Sequence, residues 1–393
     1  MITEQDTQLA LIHIPLHLYH NFLQPILKVL LPTEPAADGD DSPIEHATDV
    51  RSRRPWEYEH PFVNISVTPI ECSVACSRSL AQRLFVPARD ALDAASRSQV
   101  SITEEDFVVM QVDGEGLDAG QRVLELTSPL AMARISIFFI TTYFSDYILV
   151  PLRSRGLVIQ ALEERGFAFE KQSEAYINPQ HNRNTSTPSF DTHPPSTPPP
   201  TTVSELQQRT FTTLKKHNVF PTVDPSIQLI QCAGRKNNSD RNGSVPISSP
   251  ADDKMYLGLV KCLITPPRFL SLTLTDTEPA SLLLERSLLH HFACPTPSNP
   301  SDSVLLGSKD DILVPIILDL STMPLESTGI VCGVAGRLVG GTKQQMLGEP
   351  ENSVEMSYLS TAKAGAVMVA EWELQRAMDA LKGMSENGMP MGY

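Results

Sequence analysis

PFVNISVTPIECSVACSRSLAQRLF, residues 61–85, and RFLSLTLTDTEPASLLLERSLLHHF, residues 268–292, carry one pattern twice. At a constant offset of 207 residues, Phe62 meets Phe269, Thr68 meets Thr275, Glu71 meets Glu278 and Phe85 meets Phe292. Between these identities Ile65, Ser66 and Val67 meet Leu272, Thr273 and Leu274. The alternation repeats with the identities, and its period of two belongs to a strand with one face buried. A second pair is ITTYFSDYILV at 140–150 and LSTAKAGAVMV at 359–369, offset by 219 residues. There Thr142 falls on Thr361 and Val150 on Val369, and in the helices beyond, Ala161 and Leu162 fall on Ala380 and Leu381. The chain therefore reads as two similar halves of two small units each, and tandem units of this kind place ligands at their seams.

Composition narrows the function. With 393 residues, 41% hydrophobic and 20% charged, the chain buries ordinary cores and has the length of two to four domains. A formal charge of -15 and a pI near 5.1 oppose nucleic-acid binding, which needs an excess of Lys and Arg over the phosphates. Arg51, Arg53 and Arg54 form the one basic cluster, too short to reverse that balance. The opening MITEQDTQ predicts no secretory signal. Residues 9–31 are apolar but interrupted by His13, Pro15, His17, His20, Asn21, Gln24, Pro25 and Lys28, so no membrane span is expected. Six scattered cysteines without a CxxC pair predict reduced thiols and a cytoplasmic protein.

Along the chain, residues 8–102 make a first unit: a strand at 9–15, a helix in which Pro25 starts or kinks a turn, a polar surface insert at 33–60, and the first duplicated segment. Residues 103–170 make the second, with the strand FVVMQV at 107–112, a helix at 121–133, a strand pair at 135–150, a helix at 154–165 and a last strand at 167–170. That order is βαββαβ, a ferredoxin-like α+β unit with helices on one sheet face and the other face free to meet a neighbour. Residues 171–204, with Pro188, Pro194, Pro195 and Pro198 to Pro200 among Ser, Thr and Asn, predict a disordered linker. The third unit spans 205–308, with a strand at 227–232, a polar insert at 235–252 and a helix at 254–264. The fourth spans 309–384, opening with ILVPIILDL at 312–320 and continuing with a helix from Ser327; a flexible tail follows at 385–393.

Sites of apparent chemistry are poor. GEGLDA at 114–119 fits a dinucleotide turn, yet Asp113, Glu115 and Asp118 would repel a diphosphate. GRLVGGTK at 336–343 reverses the lysine and hydroxyl order of a phosphate loop. His13, His17 and His20 straddle a strand and a helix and do not converge on a metal. No catalytic triad, metal set or cofactor motif is readable, so a non-enzymatic protein is expected. MPLESTGIVCGVAGRL at 323–338 is different: Ser327 and Thr328 are capping candidates before Gly329, and the N–H groups of such a helix start suit a carboxylate.

Strand, glycine-led helix, two strands and a helix together resemble the ACT domain. More closely, 107–166 with ISIFFITTYFSDYILVP at its centre resembles the second ACT unit of the CASTOR family, cytosolic arginine sensors of the TOR kinase pathway. HLYHNFLQPILKVLLP, the duplicated segments and STGIVCGVAG are similar to that family too. The resemblance implies four tandem ACT-like units in two halves and a free amino acid bound between the second and fourth. It implies main-chain contacts at Ser136 and Ile137, a turn at Ser327, Thr328 and Gly329, and a strand end at Thr361 and Ala362 beside the ligand side chain. The acid that pairs with the guanidinium in the family aligns with Gly365 here, with Glu355 the substitute to consider. Losing the partner of a desolvated charge costs on the order of 2 to 5 kcal/mol, so weak arginine binding or another preferred amino acid is expected. The resemblance further implies a regulatory complex similar to GATOR as partner, contacted by Tyr143 and Asp146, with Phe144 in place of the family's amide. A homodimer is compatible with it. Two other readings stand beside the sensor: a regulatory subunit for an amino-acid biosynthetic enzyme or kinase, and a scaffold that binds no ligand.

Overall fold

The computed structural model describes residues 2–31, 62–113, 119–169, 202–234, 250–293, 304–340 and 354–382. The first quarter holds β1 (Ile2–Pro15), α1 (Tyr19–Leu30), β2 (Phe62–Val67), β3 (Glu71–Ser77), the short helices α2 (Arg78–Leu80), α3 (Val86–Asp90) and α4 (Ala94–Arg97), and β4 (Ser101–Ile102). The second holds β5 (Phe107–Asp113), α5 (Ala119–Met132), β6 (Phe138–Thr141), β7 (Ser145–Pro151) and α6 (Arg155–Glu163). After α7 (Val203–Lys216) and β8 (Pro221–Val223) come β9 (Leu229–Gly234), α8 (Pro250–Ile264), β10 (Leu270–Thr275), β11 (Ser281–Glu285) and β12 (Leu305–Leu306). The last quarter holds β13 (Leu313–Asp319), α9 (Ile330–Gly340), β14 (Met356–Ser360), β15 (Ala364–Ala370) and α10 (Leu374–Lys382).

In every quarter the third strand lies between the first and the second, giving β1–β3–β2, β5–β7–β6, β9–β11–β10 and β13–β15–β14. The sheets then fuse. β1 pairs with β5, β2 with β10 and β6 with β14, and β13 meets β9 at Leu313 and Leu229, closing a 12-strand barrel. Closure removes the open edges that four separate sheets would expose.

The register carries the duplication. Across the β2–β10 seam Ile65 pairs with Leu272, its own counterpart at the 207-residue offset, and across the β6–β14 seam Ile140 pairs with Leu359, its counterpart at 219. Each seam is thus a point where the chain meets its own copy in antiparallel order, as a local two-fold axis requires. Asn64 Nδ2 donates to Thr273 Oγ1 at 3.0 Å and to Ser271 Oγ at 3.2 Å, so the inward polar groups of the first seam satisfy one another.

Alternation explains the three largest hydrophobic clusters among the described residues. Leu9 and Leu11 of β1, Phe107 and Val109 of β5, Tyr147 and Leu149 of β7 and Ala366 and Met368 of β15 point into the barrel and form one cluster. The residues between them point out: Ala10, Ile12 and Ile14 pack with Tyr19, Phe22 and Ile26 of α1, while Val108, Met110, Ile148 and Val150 pack with Val123 and Leu126 of α5. Fully burying each such side chain contributes roughly 1.5 to 3 kcal/mol, which fixes the register because a one-residue slip would exchange the two faces. The sheet face expected to be free for a neighbouring unit is therefore the inside of the barrel.

Several expectations change. β1 begins at Ile2 rather than Leu9, with Thr3 to Gln5 paired to β5. The last strand expected at 167–170 shrinks to one parallel bridge between Phe169 and Ile2. Pro25 lies within α1, which continues through it. Thr202 caps α7 by accepting from Glu205 N, and α7 and β8, placed by sequence in the third unit, lie against the fourth, β8 pairing with β13. Residues 1, 32–61, 114–118, 170–201, 235–249, 294–303, 341–353 and 383–393 lie outside the described residues, and with them most of the expected inserts, the linker, the dinucleotide-like turn and the tail.

Candidate functional site

A cavity of about 50 Å3 opens beside the β6–β14 seam, between the second and fourth quarters. Its walls are the approach to β6 (Ile135, Ile137), the loop from β13 to α9 (Leu320, Met323, Ser327, Gly329), the first turn of α9 and the β14–β15 hairpin (Tyr358, Thr361, Ala362).

The loop is built around Pro324, whose carbonyl accepts from Ser327 N at 3.0 Å and from Ser327 Oγ at 2.7 Å. Ser327 thus closes a turn instead of capping the helix, which starts at Ile330 rather than at Ser327. Gly329 adopts φ 80° and its carbonyl accepts the first helical bond from Gly333 N at 2.8 Å. A Cβ there would stand 3.1 Å from Leu206 and from Thr210 on α7, so both conformation and space call for glycine. The N–H groups of a helix's first turn have no partner inside the helix, and Ile330, Val331 and Cys332 bring that end of α9 to the cavity.

The hairpin is held from the opposite half. Thr361 Oγ1 donates to Glu71 Oε1 at 2.6 Å, Lys363 N donates to the same oxygen, and His13 Nδ1 lies 2.5 Å from Glu71 Oε2. Glu71 is fully buried at the start of β3. Ala362 N donates to Ser73 Oγ at 3.3 Å, a second tie between the same elements. His13 is thereby a partner of Glu71.

Ile137, Ser327, Gly329, Thr361 and Ala362 all line the cavity. Thr328 lines a neighbouring hollow of about 350 Å3 with Arg134 and Thr210, while Ser136 is partly buried and is not among the lining residues. Gly365 lies in β15 between Ser360 and Leu318, where a Cβ would stand 2.6 Å from the Tyr358 hydroxyl and 3.7 Å from Leu320 Cδ1. The space beside Gly365 is therefore filled by a phenol. Glu355, the substitute acid, is exposed and outside the lining, its N–H bound to Glu373.

The residues expected to contact a partner separate. Tyr143 and Phe144 expose their rings, 4.9 Å apart and edge to face. Asp146 does not join them: it is fully buried and pairs with Arg122 Nε at 2.5 Å, because β7 turns it toward α5. Burial pushes its carboxyl up against the opposing pull of Arg122.

Sequence reasoning missed Tyr358, Leu320 and Met323 on the walls and Glu71 behind them. Tyr358 is buried, and its hydroxyl has no hydrogen-bond partner among the described residues. Burial raises its pKa, so the phenol keeps its proton. Glu71 carried a signal, its identity with Glu278 across the duplication. Tyr358 carried none, since strands place aromatic residues on buried faces as a matter of course.

The class defined by this architecture is a mixed α/β protein of helix-covered strands. Residues 102–164, the second quarter, match the ACT domain family, a module that binds free amino acids in regulatory roles. No curated protein sequence matches the chain. Among solved structures, aspartate kinase from Synechocystis is similar over 100% of this chain at 11% identity and a TM-score of 0.30, and the chain spans 57% of that kinase. A structural-genomics protein from Agobacterium tumefaciens is similar over 43% of this chain and 90% of its own length, at 16% identity and a TM-score of 0.23. Among the described residues no helix is long and apolar enough to cross a membrane, and no three His, Cys, Asp or Glu group to hold a metal.

Proposed function

We propose that this chain is a non-enzymatic amino-acid sensor of four ACT-like units, with its ligand in the cavity between the second and fourth. The observation that carries the reading is the convergence of Ile137, Ser327, Gly329, Thr361 and Ala362 on one cavity whose floor includes a helix start. The α-carboxylate is held at the first turn of α9, and the side chain extends toward the β14–β15 hairpin. Binding favours one arrangement of the two halves, and a protein partner reads that arrangement; the ligand acts only through unequal affinity for the two states. The partner is of the kind the family resemblance implies, a TOR-pathway complex similar to GATOR, and Tyr143 with Phe144 is the exposed pair it contacts. Arginine is disfavoured, because no acidic side chain among the described residues lines the cavity.

The experiment is a thermal-shift and calorimetric screen of the full chain with the common amino acids. A ligand at about 100 times its Kd adds roughly 2.7 kcal/mol of stability. Ala362→Trp, which fills the cavity from the hairpin, abolishes that shift while the free protein unfolds as before. Flat responses to every amino acid at millimolar concentration would reject the sensor. Co-purification of a kinase or biosynthetic enzyme would move the reading to a regulatory subunit.

A further inference from the structure

The wall at Gly365 bears on which amino acid this site takes. Tyr358 lies on β14 opposite Val367, and its hydroxyl fills the space that glycine leaves at 365, beside Leu320. Tyr358 and Leu320 both line the cavity. The other wall hydroxyls have partners in the protein: Thr127 donates to Val123 O at 2.7 Å, Ser327 to Pro324 O at 2.7 Å and Thr361 to Glu71 at 2.6 Å, and Ser360 Oγ accepts from Phe139 N at 2.9 Å. The Tyr358 hydroxyl is buried without a partner among the described residues. A buried donor left unpaired is costly, and a site that retains one is built to be completed by an acceptor.

We propose that Tyr358 is the specificity-determining side chain of this cavity, donating its hydroxyl hydrogen to a small, neutral amino acid whose side chain carries an oxygen acceptor, a hydroxyl or an amide. The inference rests on the reading of this cavity as an amino-acid site. Three features select the class. No charged side chain among the described residues lines the cavity, so an ammonium, guanidinium or carboxylate side chain would be desolvated without a counter-charge. The volume of about 50 Å3 serves backbone and side chain together, which favours a small amino acid over a long one. An apolar isostere fits the space but leaves the phenol unpaired, and sites built to hydrogen-bond a ligand group reject the analogue that lacks it.

The test is calorimetric titration of the full chain and of Tyr358→Phe with threonine against valine and asparagine against leucine, with arginine, lysine and glutamate as charged controls. The wild type binds at least one polar member about tenfold or more tighter than its apolar isostere, and in Tyr358→Phe the ratio falls to about one with the apolar affinity retained. Gly365→Ala, whose Cβ would stand 2.6 Å from the hydroxyl, displaces the phenol and loses the same preference. In the absence of ligand, Tyr358→Phe keeps or raises Tm. A large fall in Tm, or failure to fold, means the hydroxyl serves the protein itself and overturns the proposal. Equal affinity for the isosteres in the wild type, a preference that survives in Tyr358→Phe, or tightest binding of a charged amino acid does the same. Binding without the preference sinks this inference alone, whereas no binding by any amino acid sinks the reading of the cavity beneath it.

Discussion

Glu71 and Glu278 occupy equivalent positions 207 residues apart, and each reaches into the opposite half of the chain. Glu71 in the first half accepts from Thr361 Oγ1 and Lys363 N in the second. Glu278 in the second half accepts from Gln111 Nε2 at 2.9 Å, Tyr147 OH at 3.0 Å and Ser145 Oγ in the first. The two carboxylates therefore latch the β14–β15 and β6–β7 hairpins, which flank the same seam. They differ in position: the Glu71 latch holds a wall of the cavity, and the Glu278 latch holds the hairpin that carries Tyr143 and Phe144.

Removing either latch strands buried donors, at a cost of about 1 to 3 kcal/mol for each group left unsatisfied. Glu71→Ala and Glu278→Ala are both expected to lower the denaturant midpoint. Amino-acid affinity separates them, because only Glu71→Ala frees Thr361. Glu71→Ala weakens binding about tenfold or more, and Glu278→Ala leaves it within about twofold. Equal losses of affinity would show that the hairpin is set by the barrel as a whole.

Tyr143 and Phe144 are the surface pair that remains once Asp146 is placed in the interior. Tyr143→Ala with Phe144→Ala should abolish capture of a protein partner from cell extract while leaving amino-acid affinity within about twofold, since substitutions of exposed groups usually change stability by under ~0.5 kcal/mol. Asp146→Asn is expected to act differently: it removes the buried carboxylate that pairs with Arg122 Nε and lowers Tm before it affects any partner. Retained capture by the double variant would exclude this pair as the contact.

What was legible in sequence follows from what repeats. Alternating strands that recur at 207 and 219 residues announced two similar halves, because period-two burial writes itself into residue types. Closure into a barrel left no such mark: Phe107, Val109, Tyr147 and Leu149 are buried on the inward faces of β5 and β7, and Val108, Met110, Ile148 and Val150 on the outward faces, so a pattern buried on both sides reads the same whether its second neighbour is a helix or another sheet. For the site, Ser327 and Gly329 were visible as a helix start, yet the hydroxyl closes a turn on Pro324, a choice of partner that depends on loop geometry. Gly365 was singled out by the family resemblance, as the position where that family carries an acid. That Tyr358, seven residues earlier, fills the space beside it depends on the hairpin register, with Ser360 opposite Gly365.

The cysteines test the burial of both helix layers. Cys76, Cys232 and Cys262 are buried, and loss of solvation pushes their thiols up to about 12; Cys72 and Cys332 are raised for the same reason. The thiolate is the reactive form, so these five positions should resist alkylation at pH 8 in the folded chain and react within minutes in denaturant. Mass-spectrometric mapping of iodoacetamide adducts reads each site separately. Rapid native labelling at Cys76 or Cys262 would show that α1 and α8 open locally from the sheet.

Gly365 gives the sharpest test of the proposal that arginine is disfavoured. The residue is not among the glycines of positive φ, so the backbone accepts a side chain; the obstacle is the Tyr358 hydroxyl, 2.6 Å from where a Cβ would stand. Gly365→Asp alone therefore overpacks a central strand, at about 1 to 3 kcal/mol, and buries a carboxylate against a phenol in place of a guanidinium. It is expected to lower Tm and to give no arginine site. Combining it with Tyr358→Ala clears the space, and a carboxylate on the cavity wall then offers arginine a charge-assisted pair. The double variant should bind arginine roughly 30-fold or more tighter than the wild type, the lower end of what a desolvated ion pair supplies. Calorimetry with arginine and citrulline, which has the same length without the charge, separates pairing from room: a gain for both equally would mean that only volume was limiting. Arginine-selective binding by the wild type would show that another residue already supplies the charge.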